Sequence, residues 1–194
     1  IVLGDSLTVG SDYFGSLTAN LKKLGIWGSV VVDAKVGRKT SAGAAQLAKL
    51  LVAHPHTTAI VVALGTNDMI SHSEKSYPAI ALDNILRVTG KIPVLWFNVT
   101  FSRTGHPDWY VRATRFNTAL SDLDSGSSQL DVADWNSYFR PKRASRFIAD
   151  GVHLSVSGYR TRATFMLSQI SVWGTRLVMT TSTTTSTTVQ TSTT

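Results

Sequence analysis

Four short segments of the chain carry residue types that can act together in nucleophilic catalysis. Ser6 follows an apolar run at the start of the sequence, and Asp150-Gly151-Val152-His153 supplies a carboxylate and an imidazole near its end. Gly37 and the segment Thr66-Asn67-Asp68 lie between them. A hydroxyl nucleophile, an imidazole base, a carboxylate and two donors for an oxyanion are the parts that acyl transfer requires.

Each of these segments is a weak signal on its own. A Gly-Asp-Ser sequence at a strand-to-helix turn is more often a helix cap than a nucleophile, and we expect Asp5 to cap this turn. A lone histidine such as His153 is usually structural. We expect Asp68 to fix the loop that carries Asn67. Only the combination, in this order, favours a serine nucleophile at Ser6.

The elements that must position these residues alternate strictly along the chain. Short segments that are apolar on both faces predict buried parallel strands at 1–3, 30–32, 59–64, 93–97 and 130–133. Amphipathic patterns predict helices at 14–24, 41–53, 78–88, 109–123 and 157–173. This alternation predicts a three-layer α/β/α fold with a five-stranded parallel sheet. Ligands bind at the carboxyl ends of such strands, so we expect all four segments at one rim.

The four segments resemble the sequence blocks of the SGNH/GDSL hydrolase superfamily. The blocks match Gly4-Asp5-Ser6-Leu7-Thr8, Val36-Gly37-Arg38, Gly65-Thr66-Asn67-Asp68 and Asp150-Gly151-Val152-His153-Leu154-Ser155. The resemblance extends from residue 1 to residue 172 and implies a flavodoxin-like SGNH hydrolase fold. The chain contains no Gly-x-Ser-x-Gly elbow, which argues against an ordinary α/β-hydrolase.

The resemblance also implies a role for each residue. Ser6 would attack an ester carbonyl, His153 would accept and return the proton, and Asp150 would orient the imidazole. The N–H groups of Ser6 and Gly37 and the amide of Asn67 would form the oxyanion hole. This chemistry implies neither a cofactor nor a metal ion. We expect His54, His56, His72 and His106 to be surface residues, without partners at metal-ligand spacing.

A finer resemblance concerns the substrate. Residues 32–38, 134–135 and 150–154 are similar to SGNH domains that are attached to membrane acyltransferases and act on peptidoglycan or surface polysaccharides. The resemblance implies a small ester or an acylated glycan as substrate. We expect Trp109 and Tyr110 to be exposed, which would suit a glycan, and Trp96 to lie in the core. Trp135 is assigned equally to core or rim.

Three alternatives to an esterase stay open. The acyl-enzyme can pass its acyl group to a sugar hydroxyl, which would make the protein an O-acyltransferase; hydrolysis is preferred because this chain has no acyltransferase membrane segment. A non-catalytic carbohydrate-binding module would not need all the catalytic residue types. A flavodoxin-like nucleotide binder with a phosphate loop at 4–10 would leave Asp150 and His153 unexplained.

Composition limits the other classes of function. The chain has 194 residues, 43% of them hydrophobic, which suits one globular domain. It has no cysteine, which excludes disulfides and thiolate sites, and no apolar run long enough to span a membrane. The net charge of +7 is spread along the chain, so no nucleic-acid partner is predicted. The one dense basic cluster is predicted to be a solvated loop, or else to contact an anionic polymer, and comprises Arg140, Lys142, Arg143 and Arg146.

The C-terminal segment differs in composition from the rest. Thirteen of the fifteen residues in 180–194 are Thr or Ser, which cannot offset their ordering entropy by burial. We therefore predict a globular domain at 1–174 and a disordered linker or stalk at 175–194. Such stalks are typical of secreted or cell-surface proteins, and the domain is expected to be a monomer. Because the sequence begins at Ile1, we expect it to be a processed or trimmed product.

Overall fold

The computed structural model describes residues 1–141 and 146–188, which form three layers with a sheet between two layers of helices. The strands are β1 (Val2–Gly4), β2 (Val32–Ala34), β3 (Ile60–Ala63), β4 (Val94–Phe97) and β5 (Leu130–Ala133). The helices are α1 (Ser6–Gly15), α2 (Leu17–Lys23), α3 (Thr40–Ala53), α4 (Thr66–Ser71), α5 (Tyr77–Thr89), α6 (Pro107–Ser125), α7 (Trp135–Phe139) and α8 (Val156–Thr188). All five strands are parallel, in the order β2-β1-β3-β4-β5. The predicted fold class is confirmed.

Each face of the sheet has its own hydrophobic core. Successive strand residues point to opposite faces, so Val61 packs with α1, α2 and α8, whereas Val62 packs with α3, α5 and α6. Trp96 is fully buried in the second core, as predicted. Trp135 is 2% exposed and lies in the first core, which decides between the two positions that the sequence left open.

The second strand lies two residues later than the pattern predicted. Pairing with β1 begins at Val32, which lies opposite Val2, and continues to Ala34 opposite Gly4. Residues 30 and 31 precede the strand, although the Val31 carbonyl still accepts the Val2 N–H. Because β2 is a half-buried edge strand, apolar content alone does not mark its limits.

The predicted helix at 14–24 is wrong in its extent. The chain forms α1 and α2 instead, separated at Ser16, which has a φ of 52°. Asp12 stabilises this break, because its carbonyl accepts the Ser16 N–H and its carboxylate accepts the Thr18 N–H at 2.7 Å. The short helices α4 and α7 were not predicted.

The last helix is longer than the predicted 157–173. It continues to Thr188, and Leu177 still packs against the first core. The domain limit at Gly174 stays a prediction, and residues 189–194 of the predicted stalk lie outside the described residues. None of the helices in the described ranges combines the length and the apolarity needed to cross a membrane.

Candidate active site

Ser6 is the first residue of a helix that starts directly after the first strand. The Asp5 carboxylate accepts the Leu7 N–H at 2.9 Å and caps α1, as predicted. The N–H groups in the first turn of a helix have no acceptor within it. The backbone N–H of Ser6 is therefore available to a ligand, at the positive end of the helix dipole.

A chain of hydrogen bonds joins Ser6 to two residues far along the sequence. The Nε2 atom of His153 lies 3.0 Å from Ser6 Oγ, and its Nδ1 atom lies 2.7 Å from Asp150 Oδ2. Asp150 Oδ1 accepts the backbone N–H groups of Val152 and His153, both at 2.9 Å. The structure thus brings together the three side chains that the sequence singled out.

The Asp150 carboxyl is held in its ionised form by its neighbours. Partial burial raises its pKa, but the hydrogen bonds from the Val152 N–H and from the ring and backbone of His153 outweigh burial. The pKa of Asp150 is therefore below its ordinary value. A carboxylate in this position favours the proton on Nδ1 of the imidazole and leaves Nε2 free to accept one from Ser6.

Backbone hydrogen bonds fix the loop that carries Asp150 and His153. The carbonyl of His153 accepts the Ile148 N–H at 3.0 Å, and the carbonyl of Gly151 accepts the Ser102 N–H at 2.8 Å. Ser155 directly precedes α8, and its hydroxyl accepts the Gly158 N–H at 3.2 Å. The loop that carries His153 is thus joined to the loop after β4 on one side and leads directly into α8 on the other.

Gly37 lies in a tight turn after β2. Its φ is +73°, a conformation that disfavours side chains with a Cβ, and the turn is closed by the Arg38 N–H to the Lys35 carbonyl. Arg38 is buried and donates to the carbonyls of Gly4 (3.2 Å) and Asp33 (2.7 Å), and it also pairs with the Asp33 carboxylate. Sequence reasoning missed Arg38. Its one signal was its position directly after Gly37, the glycine of the second block of the family resemblance.

Asn67 lies in the first turn of α4, directly after the third strand. Gly65 precedes it with a φ of +122°, and a Cβ there would come within 3 Å of the Phe116 ring. The Asn67 amide nitrogen lies 3.3 Å from the Arg38 carbonyl and 3.5 Å from Asp5 Oδ2. These contacts place the amide between the turns that follow β1 and β2.

Asp68 joins the start of α4 to the start of α3. Its carboxylate accepts the Thr40 N–H at 2.9 Å and the Thr40 hydroxyl at 2.7 Å. Burial raises the pKa of Asp68, and the hydrogen bonds from Thr40 and Tyr77 only partly oppose that rise. Asp68 therefore lies in a position to hold the loop of Asn67, as expected from the sequence.

The strand order explains why Ser6, Gly37 and Asn67 lie together. The chain leaves β1 for β2 on one side and returns to β3 on the other. A crevice forms at such a reversal, outside the carboxyl ends of the two central strands, and ligands bind there. Ser6 follows β1 and Asn67 follows β3, so both face this crevice.

Comparison with known proteins assigns the chain to a family. A model of the GDSL-like lipase/acylhydrolase family matches residues 2–161. The chain belongs to this family. The resemblance inferred from the sequence is confirmed. A search of curated protein sequences gives no significant match.

Several solved structures share the fold of this chain. A lipase/acylhydrolase from Enterococcus faecalis aligns with a TM-score of 0.70 at 18% identity, covering 88% of this chain and 93% of that one. The catalytic domain of peptidoglycan O-acetyltransferase A from Streptococcus pneumoniae aligns with a TM-score of 0.68 at 14% identity, covering 88% and 91%. A carbohydrate acetylesterase family member from Sinorhizobium meliloti has a TM-score of 0.66 at 19% identity, covering 88% and 96%. At these identities the likeness concerns the fold.

The surroundings of the site correct two expectations. Trp109 and Tyr110 are partly buried rather than exposed, because Trp109 packs against Phe101 and its ring stacks on His106 at 3.5 Å. His72 and His106 are half-buried rather than plain surface residues. His72 stacks on the Tyr77 ring at 3.6 Å.

Three further observations concern charged and metal-binding groups around this site. Lys142 and Arg143 of the predicted basic cluster lie outside the described residues. Within the ranges that the structure does describe, no three His, Cys, Asp or Glu side chains are grouped to hold a metal ion. Besides Arg38, a second buried arginine lies against the nucleophile's helix: Arg162, which donates to Ser11 and which sequence reasoning missed.

Proposed function

We propose that this chain is a serine esterase that hydrolyses short-chain carboxylic esters, chiefly acetyl esters, through an acyl-enzyme on Ser6. The observation that carries the proposal is the continuous chain from Ser6 Oγ through His153 to Asp150, with distances of 3.0 and 2.7 Å. Membership of the GDSL-like lipase/acylhydrolase family supports ester chemistry.

The proposed reaction has two halves. Ser6 Oγ attacks the ester carbonyl while His153 Nε2 accepts the hydroxyl proton, and the tetrahedral intermediate collapses as His153 returns that proton to the leaving alcohol. Water then attacks the acyl-enzyme, with His153 as base, and releases the carboxylic acid and free Ser6. Asp150 keeps the imidazole in the required tautomer and stabilises the imidazolium.

The proposed oxyanion hole uses three donors from three loops. They are the backbone N–H groups of Ser6 and Gly37 and the side-chain amide of Asn67. The position of Ser6 at a helix N-terminus and the open surroundings of Gly37 support this assignment, since a substrate oxygen can approach both. Neutral donors stabilise the developing charge without carrying a charge that must itself be desolvated.

We propose an acetylated glycan as the substrate class. Tyr13 is 81% exposed and lies seven residues after Ser6 on α1, so both are on one helix face, where the ring can stack on a sugar. The net charge of +7 favours an anionic polymer. Proteins of this fold include one named a carbohydrate acetylesterase and one named a peptidoglycan O-acetyltransferase. We further propose a secreted or surface-attached monomer, on the basis of the Thr/Ser-rich segment 180–194.

Turnover of p-nitrophenyl acetate tests the esterase proposal. We expect Ser6→Ala to lower kcat by at least roughly a thousandfold, because the nucleophile is lost. Ser125→Ala, which changes an exposed serine at the end of α6, serves as the control and should keep wild-type rates. A fluorophosphonate probe should label Ser6 alone. Equal rates for wild type and Ser6→Ala, or labelling at another serine, would refute the assignment.

Acetylated glycans separate hydrolysis from acyl transfer, which share the acyl-enzyme. Acetylated xylan, peptidoglycan fragments and short-chain esters are compared as donors, with and without an added oligosaccharide acceptor. We expect free acetate as the main product in both conditions. Acetylation of the acceptor in preference to acetate release would identify the protein as an O-acyltransferase instead.

A further inference from the structure

A buried arginine lies beneath the helix that begins at Ser6. Arg162, on α8, is only 3% exposed, and arginine is rarely buried without a partner. Its Nη1 atom donates to Ser11 Oγ at 3.1 Å, and this hydroxyl donates to the Leu7 carbonyl at 2.8 Å. The guanidinium also lies 6.0 Å from the centroid of the Trp135 ring. Arg162 is thereby connected to the first turns of α1.

Asp5 is a second buried charged residue at the same end of α1, only 1% exposed, and it binds the backbone of the residue, Leu7, that Arg162 reaches through Ser11. Its Oδ1 atom accepts the Leu7 N–H at 2.9 Å, and its Oδ2 atom lies 3.5 Å from the Asn67 amide nitrogen. Both neighbours are donors, which suits an ionised carboxylate, whereas a protonated carboxyl would direct an O–H at one of them. No direct hydrogen bond joins the described side chains of Arg162 and Asp5, so the two charges interact through the protein interior, where screening is weak.

The charge of Arg162 opposes the effect of burial on Asp5. Burial raises the pKa of Asp5 above its ordinary value, and Arg162 is the largest influence that opposes this rise, followed by the Leu7 N–H, the Thr66 hydroxyl and His153. Burial lowers the pKa of Arg162 to about 10, which still leaves the guanidinium charged at neutral pH.

Tyr159 is the other titratable group that faces this pair. It packs between α8 and α1, and burial raises the pKa of its phenol, with Asp150 and Asp5 adding to the rise. The phenol is therefore neutral at neutral pH. Arg162 is then the fixed cation that acts on Asp5, and the imidazole of His153 adds to its effect only when it carries the second proton.

We propose that Arg162 is a positioning residue that holds Asp5 as a carboxylate, so that Asp5 can fix both the turn of Ser6 and the amide of Asn67. The proposal rests on the function assigned to Ser6 above, and it adds which residues keep Ser6 and Asn67 aligned. If Asp5 became neutral, the Asn67 amide and the Leu7 N–H would lose their anionic acceptor. Two of the three proposed oxyanion donors would then lose their alignment.

The test compares Arg162→Met with Arg160→Met across a pH range. Methionine has a similar length without the charge, and Arg160 is an exposed residue of the same helix. We expect Arg162→Met to lower kcat/KM for p-nitrophenyl acetate at neutral pH by about tenfold to a hundredfold, as expected for misaligned catalytic groups. The acid limb of its pH profile should move to higher pH, because Asp5 protonates more easily. Arg160→Met should stay within about twofold of wild type at every pH.

A double-mutant cycle with Asp5→Asn assigns the effect to Asp5. In the Asp5→Asn background, Arg162→Met should have little further effect on kcat/KM and should not move the acid limb. Additive losses, or a limb that still moves, would overturn the proposal, since the shift would then not arise at Asp5. The double variant leaves neither charge buried alone, so it remains measurable if Arg162→Met does not fold.

Arg162→Lys provides the rescue, because it keeps a positive charge on α8. We expect it to recover most of the wild-type activity and pH profile, and a lysine variant that behaves like Arg162→Met would overturn the proposal. Ser6→Ala separates the two assignments. Turnover that survives Ser6→Ala overturns the proposed function, whereas turnover that needs Ser6 but shows no coupling between Arg162 and Asp5 overturns this inference alone.

Discussion

At the scale of single residues, the site depends on how Asp150 is held. Both of its oxygens accept hydrogen bonds, Oδ2 from the imidazole and Oδ1 from two backbone N–H groups. Its side chain is 44% exposed and that of His153 is 38% exposed. At this exposure water competes for each hydrogen bond, so no single bond is strong. The imidazole is aligned because several bonds together fix the position of the Asp150 carboxylate.

Asp150→Asn tests this alignment. The asparagine amide would direct an N–H at Nδ1 of His153 and favour the wrong tautomer, so we expect kcat to fall by roughly three to four orders of magnitude. Asp122→Asn, at an exposed position of α6, is the matched control and should retain activity. Steady-state kinetics with p-nitrophenyl acetate measure both. An Asp150→Asn variant with near-normal kcat would mean that another group orients His153.

Residue types and their order were sufficient to single out the five site residues, but not the residues that support them. Arg38 and Arg162 are ordinary charged residues in the sequence, and nothing in their neighbours predicts burial. Their partners, such as the Gly4 carbonyl and Ser11, lie 34 and 151 residues away along the chain. Contacts over such separations arise only when the sheet and helices have assembled.

At the scale of elements, the turn between β2 and α3 brings Gly37 to the rim. The turn needs a positive φ at Gly37 and is held by Arg38 against the ends of β1 and β2. The space around the Gly37 Cα is open. A substituted side chain would therefore strain the backbone without a steric clash.

Gly37→Ala and Gly25→Ala separate backbone strain from function. Both glycines have a φ near +70° and open surroundings, but Gly25 lies beyond the end of α2, away from Ser6. We expect each variant to lose about 1–2 kcal/mol of unfolding free energy. Only Gly37→Ala should also lower kcat, because a shifted turn misdirects its N–H. Denaturant titrations measure the loss of stability in each variant, and steady-state kinetics measure the loss of activity. Equal activities of the two variants would exclude Gly37 from the oxyanion hole.

Predictions for the elements succeeded where burial on both sides made the pattern unambiguous. Strands β3 and β4 are buried at every position, and their predicted limits agree with the structure to within a residue at each end. Errors occurred at the edge strand β2 and at Ser16, where α1 ends. At Ser16 the local hydrogen bonds of Asp12 outweigh a continuous apolar pattern.

At the scale of the whole molecule, α8 connects the site to the core. It begins directly after the loop of His153, carries Arg162 and ends its contacts with the first core near Leu177. Trp173 donates to Asp131 at 2.8 Å, and Arg176 pairs with the same carboxylate. These contacts extend beyond the predicted domain limit at Gly174.

Two truncated chains locate the end of the stable domain. A chain that ends at residue 179 should melt at the same temperature as the full chain. A chain that ends at residue 174 lacks Arg176 and Leu177, and we expect it to lose about 1–2 kcal/mol of stability, or roughly 2–4 °C in Tm for each kcal/mol. Thermal unfolding followed by circular dichroism measures both. If the 174-residue chain melts normally, the domain ends at Gly174 after all.

By itself the sequence determined the fold class, the family and the identity of the residues that meet at the rim. These follow from local information: apolar segments of strand length, helical periodicity and short motifs whose order matches the strand order. Only the tertiary structure decided the 3.0 Å approach of His153 to Ser6, the burial of Trp135 and the burial of Arg162 against α1. The physical reason is that burial and electrostatic coupling depend on which distant elements pack together, and no local pattern contains that information.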